Sequence, residues 1–452
     1  MDYYLAVDIG ASGGRHILGS VENGRLRLRE VYRFENGMER LGGSLVWNEE
    51  RLVSEVVEGL RRCAALGVRP KSVAVDTWGV DYALLGKENR LIAPVYAYRD
   101  GRTEAAVTAV GALLPPEELY ARTGIQKQPF NTIYQIYADK LAGRLGNAGH
   151  MLMLPAYITY RLTGVMKNEY TDATTTGLVE ARSGEWDFKL IERLGLPERL
   201  FGGLAEPCTR IGRLLPEVAA QVGFDCAVTA APSHDTASAV AACPLGEGDV
   251  YISSGTWSLI GVETTSPILT EAARSANFTN EGGVERRFRF LKNYMGMWLL
   301  QSIRRDIGKT LTYDEMMEAA RACGVHDRID VTDPAFLAPP DMAEAVRKAV
   351  GKPDMGLDRV LNTVYHSLAE SYAEAVSEIE SAAGVKPRAI RVVGGGSRDV
   401  YLNELTAKYT GLPVKAGPVE ATAAGNLLSQ IICDKGITLA QARELIDGRG
   451  DE

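Results

Sequence analysis

The chain has 452 residues, of which 46% are hydrophobic and 24% are charged. This composition is ordinary for globular proteins and excludes a disordered chain, and the length exceeds what a single hydrophobic core normally supports. The net charge is −8 and no long run of Lys or Arg occurs, so the basic footprint of a nucleic-acid-binding protein is missing. We therefore expect a two-domain globular protein.

The N-terminus and the cysteines bear on location. The opening Met1-Asp2-Tyr3 lacks the basic head and apolar core of a signal peptide, and no apolar run approaches the roughly 18 residues that a membrane span needs. We expect a cytoplasmic protein without a membrane partner. Its thiols should be reduced and buried, because no two cysteines have the spacing of zinc ligands. The six cysteines are Cys63, Cys208, Cys226, Cys243, Cys323 and Cys433.

The first half of the chain opens with a strand-turn-strand pattern. Residues 3–21, YYLAVDIGASGGRHILGSV, place a Gly/Ser turn between two apolar runs, which predicts a β-hairpin. An amphipathic helix is predicted from about Glu49 to Leu66. A short apolar strand, SVAVDT, is predicted from Ser72.

The second half repeats this order. Residues 249–264, DVYISSGTWSLIGVET, predict a second hairpin, and a long apolar stripe with helical spacing ends at Ala383, before Gly384. The strand AIRVV then starts at Ala389. The repetition predicts an internal duplication into two α/β domains, 1–240 and 241–452, joined near residues 232–248.

The first hairpin turn has the composition of a phosphate-binding loop. After Asp8, the glycines Gly10, Gly13 and Gly14 allow φ > 0 and let backbone N–H groups approach a ligand. Successive exposed N–H groups bind anions, and an aspartate at a strand end can hold Mg²⁺ directly or through water. The alternative is an ordinary hairpin with a surface aspartate.

Two more turns fit a nucleotide site. The turn at residues 253–256, Ser-Ser-Gly-Thr, matches the first turn in position, and we expect the two to face each other across a central cleft. The strand that ends at Val393 runs into Gly394–Gly396, and a helix N-terminus reached through glycines suits a nucleotide. Neither a P-loop nor the dinucleotide fingerprint occurs.

The junction segment Ser233-His234-Asp235-Thr236 offers a catalytic acid-base group. A carboxylate near a phosphate site can accept the proton of an attacking hydroxyl, which is the role predicted for Asp235. Two structural alternatives stay open. His234 could be a packed histidine, and Asp235 could be the N-cap of a helix that starts at Thr236.

Two segments have the residues of a sugar pocket. Trp78 and Gly79 follow the predicted strand that ends near Thr77, and an indole face with a few fixed polar groups suits a polyol. The alternative is that Trp78 fills the core. Residues 293–301 are interpreted as an apolar helix start that carries the amides Asn293 and Gln301 at opposite ends.

Taken together and in order, these motifs resemble the FGGY family of carbohydrate kinases, within the actin/hexokinase/Hsp70 superfamily, over nearly the whole chain. The resemblance implies two duplicated ribonuclease H-like domains with a central cleft. It implies that the N-terminal domain carries the sugar site, the first phosphate turn and the catalytic base, and that the C-terminal domain binds ATP. The motifs are VDIGASGGR (7–15), DTWGVDYALL (76–85), AYRDGRT (97–103), PFNTIYQ (129–135), EYTDATTTGLV (169–179), SHDTASAV (233–240), SSGTWSL (253–259), NEGGVE (280–285), LKNYMGMWLLQ (291–301), VVGGGS (392–397) and AGPVEATAAGN (416–426).

Matching residue by residue, the resemblance implies that Asp235 is the catalytic base and that Asp8 is associated with the metal, Mg²⁺. It implies that the ketose contacts Gly79, His234, Thr236 and Asn293. It implies that ATP is bound by Ala11, Ser12, Gly13, Gly14, Arg15, Thr256, Gln301, Gly395 and Gly396.

The implied reaction is ATP-dependent phosphorylation of L-rhamnulose at its C1 hydroxyl, to give L-rhamnulose 1-phosphate. The segment after Asn131 departs from the Lys- and Trp-bearing signature of glycerol and xylulose kinases, which argues against those substrates. A kinase for a related deoxyketose such as L-fuculose is the alternative enzyme. From other classes, an actin- or Hsp70-like nucleotide switch would share both turns, and a dinucleotide oxidoreductase would share the Gly-rich α/β pattern.

Overall fold

The computed structural model describes residues 1–447 and divides the chain into two compact units. Unit 1 comprises Met1–Pro244, Glu263–Phe290 and the segment from Thr422 onward, and unit 2 comprises Leu245–Val262 and Leu291–Ala421. Two segments of the second half thus belong to unit 1, and the predicted boundary at residue 240 stays a prediction. Within residues 1–447, no helix is both long enough and apolar enough to cross a membrane.

Both halves of the chain contain strands and helices. Their bounds are β1 Tyr3–Gly10, β2 Gly13–Glu22, β3 Arg25–Glu35, β4 Glu39–Leu41, β5 Ser44–Trp47, β6 Ser72–Thr77, β7 Tyr82–Leu85, β8 Val95–Tyr96, β9 His150–Met153, β10 Asn168–Glu169, β11 Leu204–Ala205, β12 Thr209–Arg213, β13 Ala227–Ala230, β14 Asp249–Ser254, β15 Trp257–Thr264, β16 Thr279–Gly282, β17 Phe288–Met295, β18 Ala389–Val393 and β19 Val414–Ala416.

The α-helices range from a single turn to 27 residues. Their bounds are α1 Glu49–Ala65, α2 Glu104–Leu113, α3 Pro116–Thr123, α4 Thr132–Leu141, α5 Leu154–Thr163, α6 Tyr170–Ala173, α7 Phe188–Arg193, α8 Pro216–Val222, α9 Asp235–Ala241, α10 Glu271–Ser275, α11 Trp298–Asp306, α12 Tyr313–Cys323, α13 Met342–Val350, α14 Leu357–Ala383, α15 Val400–Thr410, α16 Ala421–Lys435 and α17 Leu439–Asp447.

The main sheet of unit 1 has the strand order β12-β13-β6-β1-β2-β3. Strands β1, β2 and β3 form an antiparallel meander, and β6 then returns parallel to β1 after the helix α1. A parallel return needs such a crossover, and α1 supplies it with an apolar face that lies in the unit 1 core. The carboxyl ends of the parallel strands β1, β6 and β13 therefore point to the same edge of the sheet.

Helix α1 begins and ends where its sequence signals lie. The Asn48 side chain accepts a hydrogen bond from the Arg51 backbone N–H, and Glu49 and Glu50 occupy the first turn, where negative charge is favourable. The helix ends at Ala65, one residue before the predicted Leu66. The predicted strand from Ser72 is β6, and it is buried along its whole length.

Helix α16, from near the chain's C-terminus, packs on the other face of the unit 1 sheet. Leu427 and Ile431 lie in one apolar cluster with Tyr4 and Ile17 of the first hairpin. The approach of α16 to α9 is close, because a Cβ atom at Gly425 would overlap the carbonyl oxygen of Ser238. Helix α16 is therefore part of the core on which the first hairpin rests.

The sheet of unit 2 repeats the plan of unit 1. Five neighbouring strands of this six-stranded sheet run in the order β17-β15-β14-β18-β19, with β14 and β15 antiparallel and with β18 parallel to both β14 and β19. This is the order β3-β2-β1-β6-β13 again, with helix α14 in the crossover that α1 occupies in unit 1. The duplicated α/β fold predicted from the sequence is confirmed.

Helix α14 has the predicted apolar stripe. Residues Leu361, Val364, Leu368 and Tyr372 are buried along one face, and the helix ends at Gly384 in the left-handed conformation at φ 64°. The stripe therefore lies in the core of unit 2, as its helical spacing predicts.

Three local predictions need correction. Asn293 lies on strand β17 and not in a helix, and the helix that carries Gln301 begins only at Trp298. Asp235 is the first residue of α9, and the capping position is His234, whose side chain makes no capping bond. Three of the cysteines predicted to be buried, Cys208, Cys323 and Cys433, are only partly buried.

Candidate functional site

Two carboxylates lie side by side at the carboxyl edge of the unit 1 sheet. Asp8 on β1 is in register with Asp76 on the parallel strand β6, and both side chains are buried. Asp8 accepts a hydrogen bond from Arg15 Nη2 at 2.8 Å, across the first hairpin. The arrangement concentrates negative charge at the strand ends, with one guanidinium on its β2 side.

Asp76 is held from helix α16. Asn426 Nδ2 donates to Asp76 Oδ2 at 2.6 Å, and Gln430 Nε2 in turn donates to Asn426 Oδ1 at 2.8 Å. Asp76 Oδ1 is buried and has no hydrogen-bond partner among residues 1–447. Burial raises the pKa of Asp76 well above its ordinary value, and the charges of Asp8 and Asp235 raise it further.

The glycines of the first hairpin turn are needed for a different reason from the predicted one. Gly10, Gly13 and Gly14 all lack a positive φ, so the turn at Ala11 and Ser12 does not use the left-handed region. A Cβ atom at Gly14 would overlap the ring of Phe34 on β3, which requires glycine for packing within the sheet.

The loop before α9 carries Asp235 and is fixed by a buried glutamate. Glu169 Oε2 accepts hydrogen bonds from the backbone N–H and the hydroxyl of Ser233, at 2.9 and 2.7 Å, and also one from the Thr171 hydroxyl at 2.6 Å. The side chain of Asp235 stays 32% exposed, and its Oδ1 accepts from the Thr236 hydroxyl at 3.1 Å. The partly exposed carboxylate of Asp235 therefore follows a residue that is fixed by hydrogen bonds to a buried side chain.

His234 lies against a buried ion pair. Its Nδ1 is 3.2 Å from Arg289 Nη2 and 3.3 Å from Glu281 Oε2, and its Nε2 is 3.5 Å from Asp235 Oδ1. Burial would raise the pKa of Glu281, but the charges of Arg289 and His234 outweigh it and hold that pKa below its ordinary value. The packed alternative and the functional role of His234 are thus compatible, because one ring nitrogen is anchored and the other faces Asp235.

The Trp78–Asp81 loop is a constrained turn at the end of β6. Val80 has φ 70°, which is rare for a β-branched residue. Its carbonyl accepts from the Thr132 hydroxyl at 2.7 Å, and its N–H donates to Thr175 Oγ1 at 3.3 Å. Strained backbone of this kind persists where surrounding contacts fix it, often at ligand sites. Gly79 is therefore held in one conformation.

Asp81 accepts several hydrogen bonds at the end of this loop. Trp47 Nε1 and Trp78 Nε1 donate to its Oδ2 at 2.7 and 2.9 Å, and Gln135 Nε2 donates to its Oδ1 at 3.0 Å. Burial raises the pKa of Asp81 to about 6 against the lowering effect of these bonds. Trp78 packs on Trp47 with ring centroids 4.2 Å apart and is 8% exposed, which agrees with the core-filling alternative.

In unit 2, the second hairpin turn is tied to the start of α11. The backbone N–H of Met297 donates to the Gly255 carbonyl at 3.0 Å, and that of Trp298 donates to the Thr256 carbonyl at 3.2 Å. Thr256 Oγ1 lies 3.5 Å from Gln301 Oε1. The two residues predicted to contact ATP from this region, Thr256 and Gln301, are thus neighbours.

The third glycine turn closes on the same hairpin. Gly394 has φ 85°, and a Cβ atom there would lie 2.8 Å from the Ser254 carbonyl oxygen. A Cβ at Gly396 would overlap Ser254 Oγ, whereas a Cβ at Gly395 would meet open space. Gly394 and Gly396 are therefore needed for packing, whereas Gly395 is not.

Asn293 is a candidate ligand contact with unmet hydrogen-bonding capacity. Its Oδ1 is buried and lacks a hydrogen-bond partner within residues 1–447. Buried polar atoms are normally paired, so this oxygen keeps an unused capacity to accept a hydrogen bond.

The predicted site residues lie on two sets of elements, one in each unit. In unit 1, the edge formed by β1, β6 and the start of α9 carries Asp8, Ala11, Ser12, Gly13, Gly14, Arg15, Gly79, His234, Asp235 and Thr236. In unit 2, the ends of β14, β17 and β18 and the start of α11 carry Thr256, Asn293, Gln301, Gly395 and Gly396.

The donor set of unit 1 fits a magnesium ion. The structure shows no group of three or more His, Cys, Asp or Glu that could hold a metal within residues 1–447. Mg²⁺ does not need one, because it is commonly bound by one or two carboxylates with water and substrate phosphates. Asp8, with Asp76 beside it and Asp76 Oδ1 unpaired, offers that pair.

Sequence reasoning missed the residues that support these groups. Asn426, Glu169 and Arg289 hold Asp76, the Asp235 loop and His234. Asn426 and Glu169 lie in motifs that carried the family resemblance, and Arg289 lies between two of them, but none was given a role. A polar residue inside an otherwise apolar, buried stretch, such as Asn426 in TAAGNLL, was the available signal.

Two family descriptions match this chain. The N-terminal domain of the FGGY family of carbohydrate kinases matches residues 3–242, and its C-terminal domain matches residues 250–432. The rhamnulokinase of Halalkalibacterium halodurans is 42% identical over 99% of this chain and 97% of that protein. The rhamnulokinase of Bacillus subtilis is 36% identical over 98% and 93%.

Solved structures of sugar kinases share the fold. A xylulose kinase from Lactobacillus acidophilus superimposes with a TM-score of 0.80 at 15% identity, covering 98% of this chain and 92% of that one. Glycerol kinase of Plasmodium falciparum gives a TM-score of 0.78 at 13% identity with the same coverage. These likenesses concern the fold alone. The two matched domains and the relatives at 36–42% identity show that this chain belongs to the FGGY family of carbohydrate kinases.

Proposed function

We propose that this chain transfers the γ-phosphoryl group of ATP to the C1 hydroxyl of L-rhamnulose, giving ADP and L-rhamnulose 1-phosphate. The observation that carries the proposal is the identity of 36–42% to rhamnulokinases from several bacteria along nearly the full chain. Both substrates are small molecules, and the reaction would take place in the cytoplasm, where ATP is supplied.

Asp235 is the proposed general base. Its carboxylate is partly exposed at the start of α9, while Glu169 fixes the preceding Ser233. In direct, in-line transfer, Asp235 would take the proton of the C1 hydroxyl as that oxygen attacks the γ-phosphorus and the bond to ADP breaks. A rigid support favours this role, because a base must lie within hydrogen-bond reach of the proton it removes.

The ATP contacts are proposed on both hairpin turns. Backbone N–H groups from Ala11 to Gly14 and the Arg15 and Thr256 side chains would hold the phosphates, with Gln301 and the Gly395–Gly396 turn toward the nucleoside. Asp8, with Asp76 in register beside it, would hold Mg²⁺. When bound, that ion would neutralise charge on the phosphate oxygens.

The ketose contacts are proposed at Gly79, His234, Thr236 and Asn293. The Gly79 backbone is fixed by its neighbours, His234 is anchored through Nδ1, and Asn293 Oδ1 is unpaired. Such preorganised polar groups suit a polyhydroxy substrate, because little ordering is left to be done on binding.

The test is ADP release from ATP with a panel of ketoses, L-rhamnulose, L-fuculose and D-xylulose, followed by phosphorus NMR of the product. The proposal expects the highest kcat/KM for L-rhamnulose and a phosphate ester on C1. A clear preference for L-fuculose or D-xylulose would overturn the substrate. ADP release that no ketose stimulates would overturn the kinase reaction itself.

A further inference from the structure

Asp172 is a buried carboxyl group that has no role in the proposal above. It lies in α6, and its side chain has no solvent exposure. Its Oδ2 has no hydrogen-bond partner among residues 1–447, and Thr175 Oγ1 approaches its Oδ1 only to 3.5 Å, the outer limit of a hydrogen bond. A buried carboxyl with so little satisfaction destabilises the folded protein unless a ligand completes it.

The carboxyl group borders the constrained turn at Gly79. A Cβ atom at Gly79 would lie 3.3 Å from Asp172 Oδ1 and 3.1 Å from Thr175 Oγ1. Thr175 links the two, because its hydroxyl donates to the Asp172 carbonyl at 2.7 Å and accepts from the Val80 N–H at 3.3 Å. Asp172, Thr175 and the Gly79 backbone therefore form one rigid corner.

The surroundings of Asp172 favour the protonated, neutral form of its carboxyl group. Burial raises the pKa of Asp172 well above its ordinary value, and the carboxylates of Glu169, Asp235 and Asp81 raise it further. The neutral acid that this favours has an O–H to donate and a carbonyl oxygen to accept. A sugar hydroxyl also donates and accepts, whereas a phosphate or a metal cation would not prefer a neutral acid.

We infer that Asp172 determines ketose specificity by hydrogen-bonding a hydroxyl of the sugar, other than the one on C1, at the corner beside Gly79. This inference rests on the proposed function, since only that proposal places the ketose against Gly79. Asp172 makes this contact as a neutral carboxylic acid that can both donate and accept a hydrogen bond. The class of ligand is a polyhydroxy ketose and not the nucleotide.

Three substitutions separate this role from a structural one. Asp172→Asn keeps one donor and one acceptor, and we expect its KM for the ketose to stay within about 3-fold of the wild-type value. Asp172→Ala and the near-isosteric Asp172→Leu remove both, and we expect KM for the ketose to rise by about 10-fold or more, with KM for ATP unchanged. Asp172→Leu should keep or raise the melting temperature, because it removes an unsatisfied buried carboxyl.

Thr176→Val is the matched control on the same turn. The Thr176 hydroxyl donates to the Ala173 carbonyl at 2.6 Å and accepts from the Leu178 N–H at 3.1 Å. Its loss should lower the melting temperature without changing KM for the ketose. It therefore reports the cost of disturbing the turn alone.

These measurements use the ketose that the wild-type enzyme prefers. If that ketose is not L-rhamnulose, the ketose panel with the wild-type enzyme shows it, and the Asp172 variants can still be compared with the wild type. An unchanged KM for that ketose in Asp172→Ala overturns the inference. So does an equal rise of KM in Asp172→Asn and Asp172→Ala, because a neutral donor-acceptor would then not be what the sugar requires. Should Asp172→Leu fail to fold, Asp172→Ala, which inserts no new atoms, decides the question.

Discussion

Asp8 and Asp76 share one register position on the adjacent parallel strands β1 and β6, and Asn426 donates to Asp76 from helix α16. The two carboxylates are buried next to each other but have different partners, Arg15 for Asp8 and Asn426 for Asp76. Placing two acids together in the sheet is unfavourable unless a cation or a proton offsets their repulsion. This cost is what a metal-binding function would explain.

Asp8→Asn should therefore weaken the use of the metal. Asparagine keeps the volume but removes the charge, so we expect kcat to fall by roughly 10²-fold or more and the Mg²⁺ concentration for half-maximal rate to rise. The measurement is a MgCl₂ titration of the rate at fixed ATP, with the melting temperature as the check on folding. An unchanged Mg²⁺ requirement would remove Asp8 from the metal site.

Asp235→Asn tests the general base. Loss of a base costs about 10²–10⁴-fold in rate, so kcat should fall by that factor while ATP binding, measured by calorimetry, and the melting temperature stay near the wild-type values. Asp225→Asn is the matched control, since Asp225 is a 42% exposed carboxylate of unit 1 paired with Arg213. Near-normal turnover in Asp235→Asn would exclude it as the base.

Asp81→Asn tests the buried acid under the Gly79 turn through pH. The pKa of Asp81 is raised from 3.8 to about 6, so the protonated form is favoured in the folded state. That contribution to stability is complete below pH 4 and is lost as the pH rises to 6, at about 1.4 kcal/mol per pKa unit, or on the order of 3 kcal/mol in total.

The measurement is urea unfolding of both proteins between pH 4 and pH 7. Other groups titrate equally in the two proteins, so the difference isolates Asp81. We expect the stability of the wild type relative to Asp81→Asn to decline across this range and to be constant above it. A difference that does not depend on pH would show that the pKa of Asp81 is not raised.

Arg289→Met tests the buried ion pair behind His234. The substitution leaves Glu281 charged, buried and without its partner, which typically costs 3–5 kcal/mol. We expect that loss in urea unfolding at pH 7, together with a higher KM for the ketose, because His234 loses an anchor. Adding Glu281→Gln should recover much of the stability. A double variant no more stable than Arg289→Met would show that the uncompensated charge is not the cause.

Local sequence patterns predicted most of the fold. Both hairpins and helix α1 lie within a residue of their predicted bounds, and helix α14 ends at the predicted Ala383, because turn composition and apolar periodicity are local properties. The segment from Asn293 to Gln301 was misassigned for the same reason. A short apolar run is ambiguous between strand and helix, and here a strand ends at Met295 before the helix starts at Trp298.

The contacts that support the site residues could not be predicted from local sequence patterns. Asn426 lies 350 positions from Asp76, and Arg289 lies 55 from His234, so only the folded chain pairs them. The φ of 70° at Val80 is another case, since a β-branched residue gives no sequence signal for the left-handed region. Tertiary contacts impose that conformation.

The Gly394–Gly396 turn allows a matched pair of substitutions that separates packing from nucleotide binding. In Gly396→Ala the new methyl group overlaps Ser254 Oγ, and Ser254 is buried, so the turn must shift and we expect the melting temperature to fall. In Gly395→Ala the methyl group enters open space, so the melting temperature should change little. If the nucleotide occupies that space, as proposed, KM for ATP should nevertheless rise in Gly395→Ala while KM for the ketose does not. Thermal unfolding and ATP titrations of the two variants check both halves, and an unchanged KM for ATP in Gly395→Ala would place the nucleotide elsewhere.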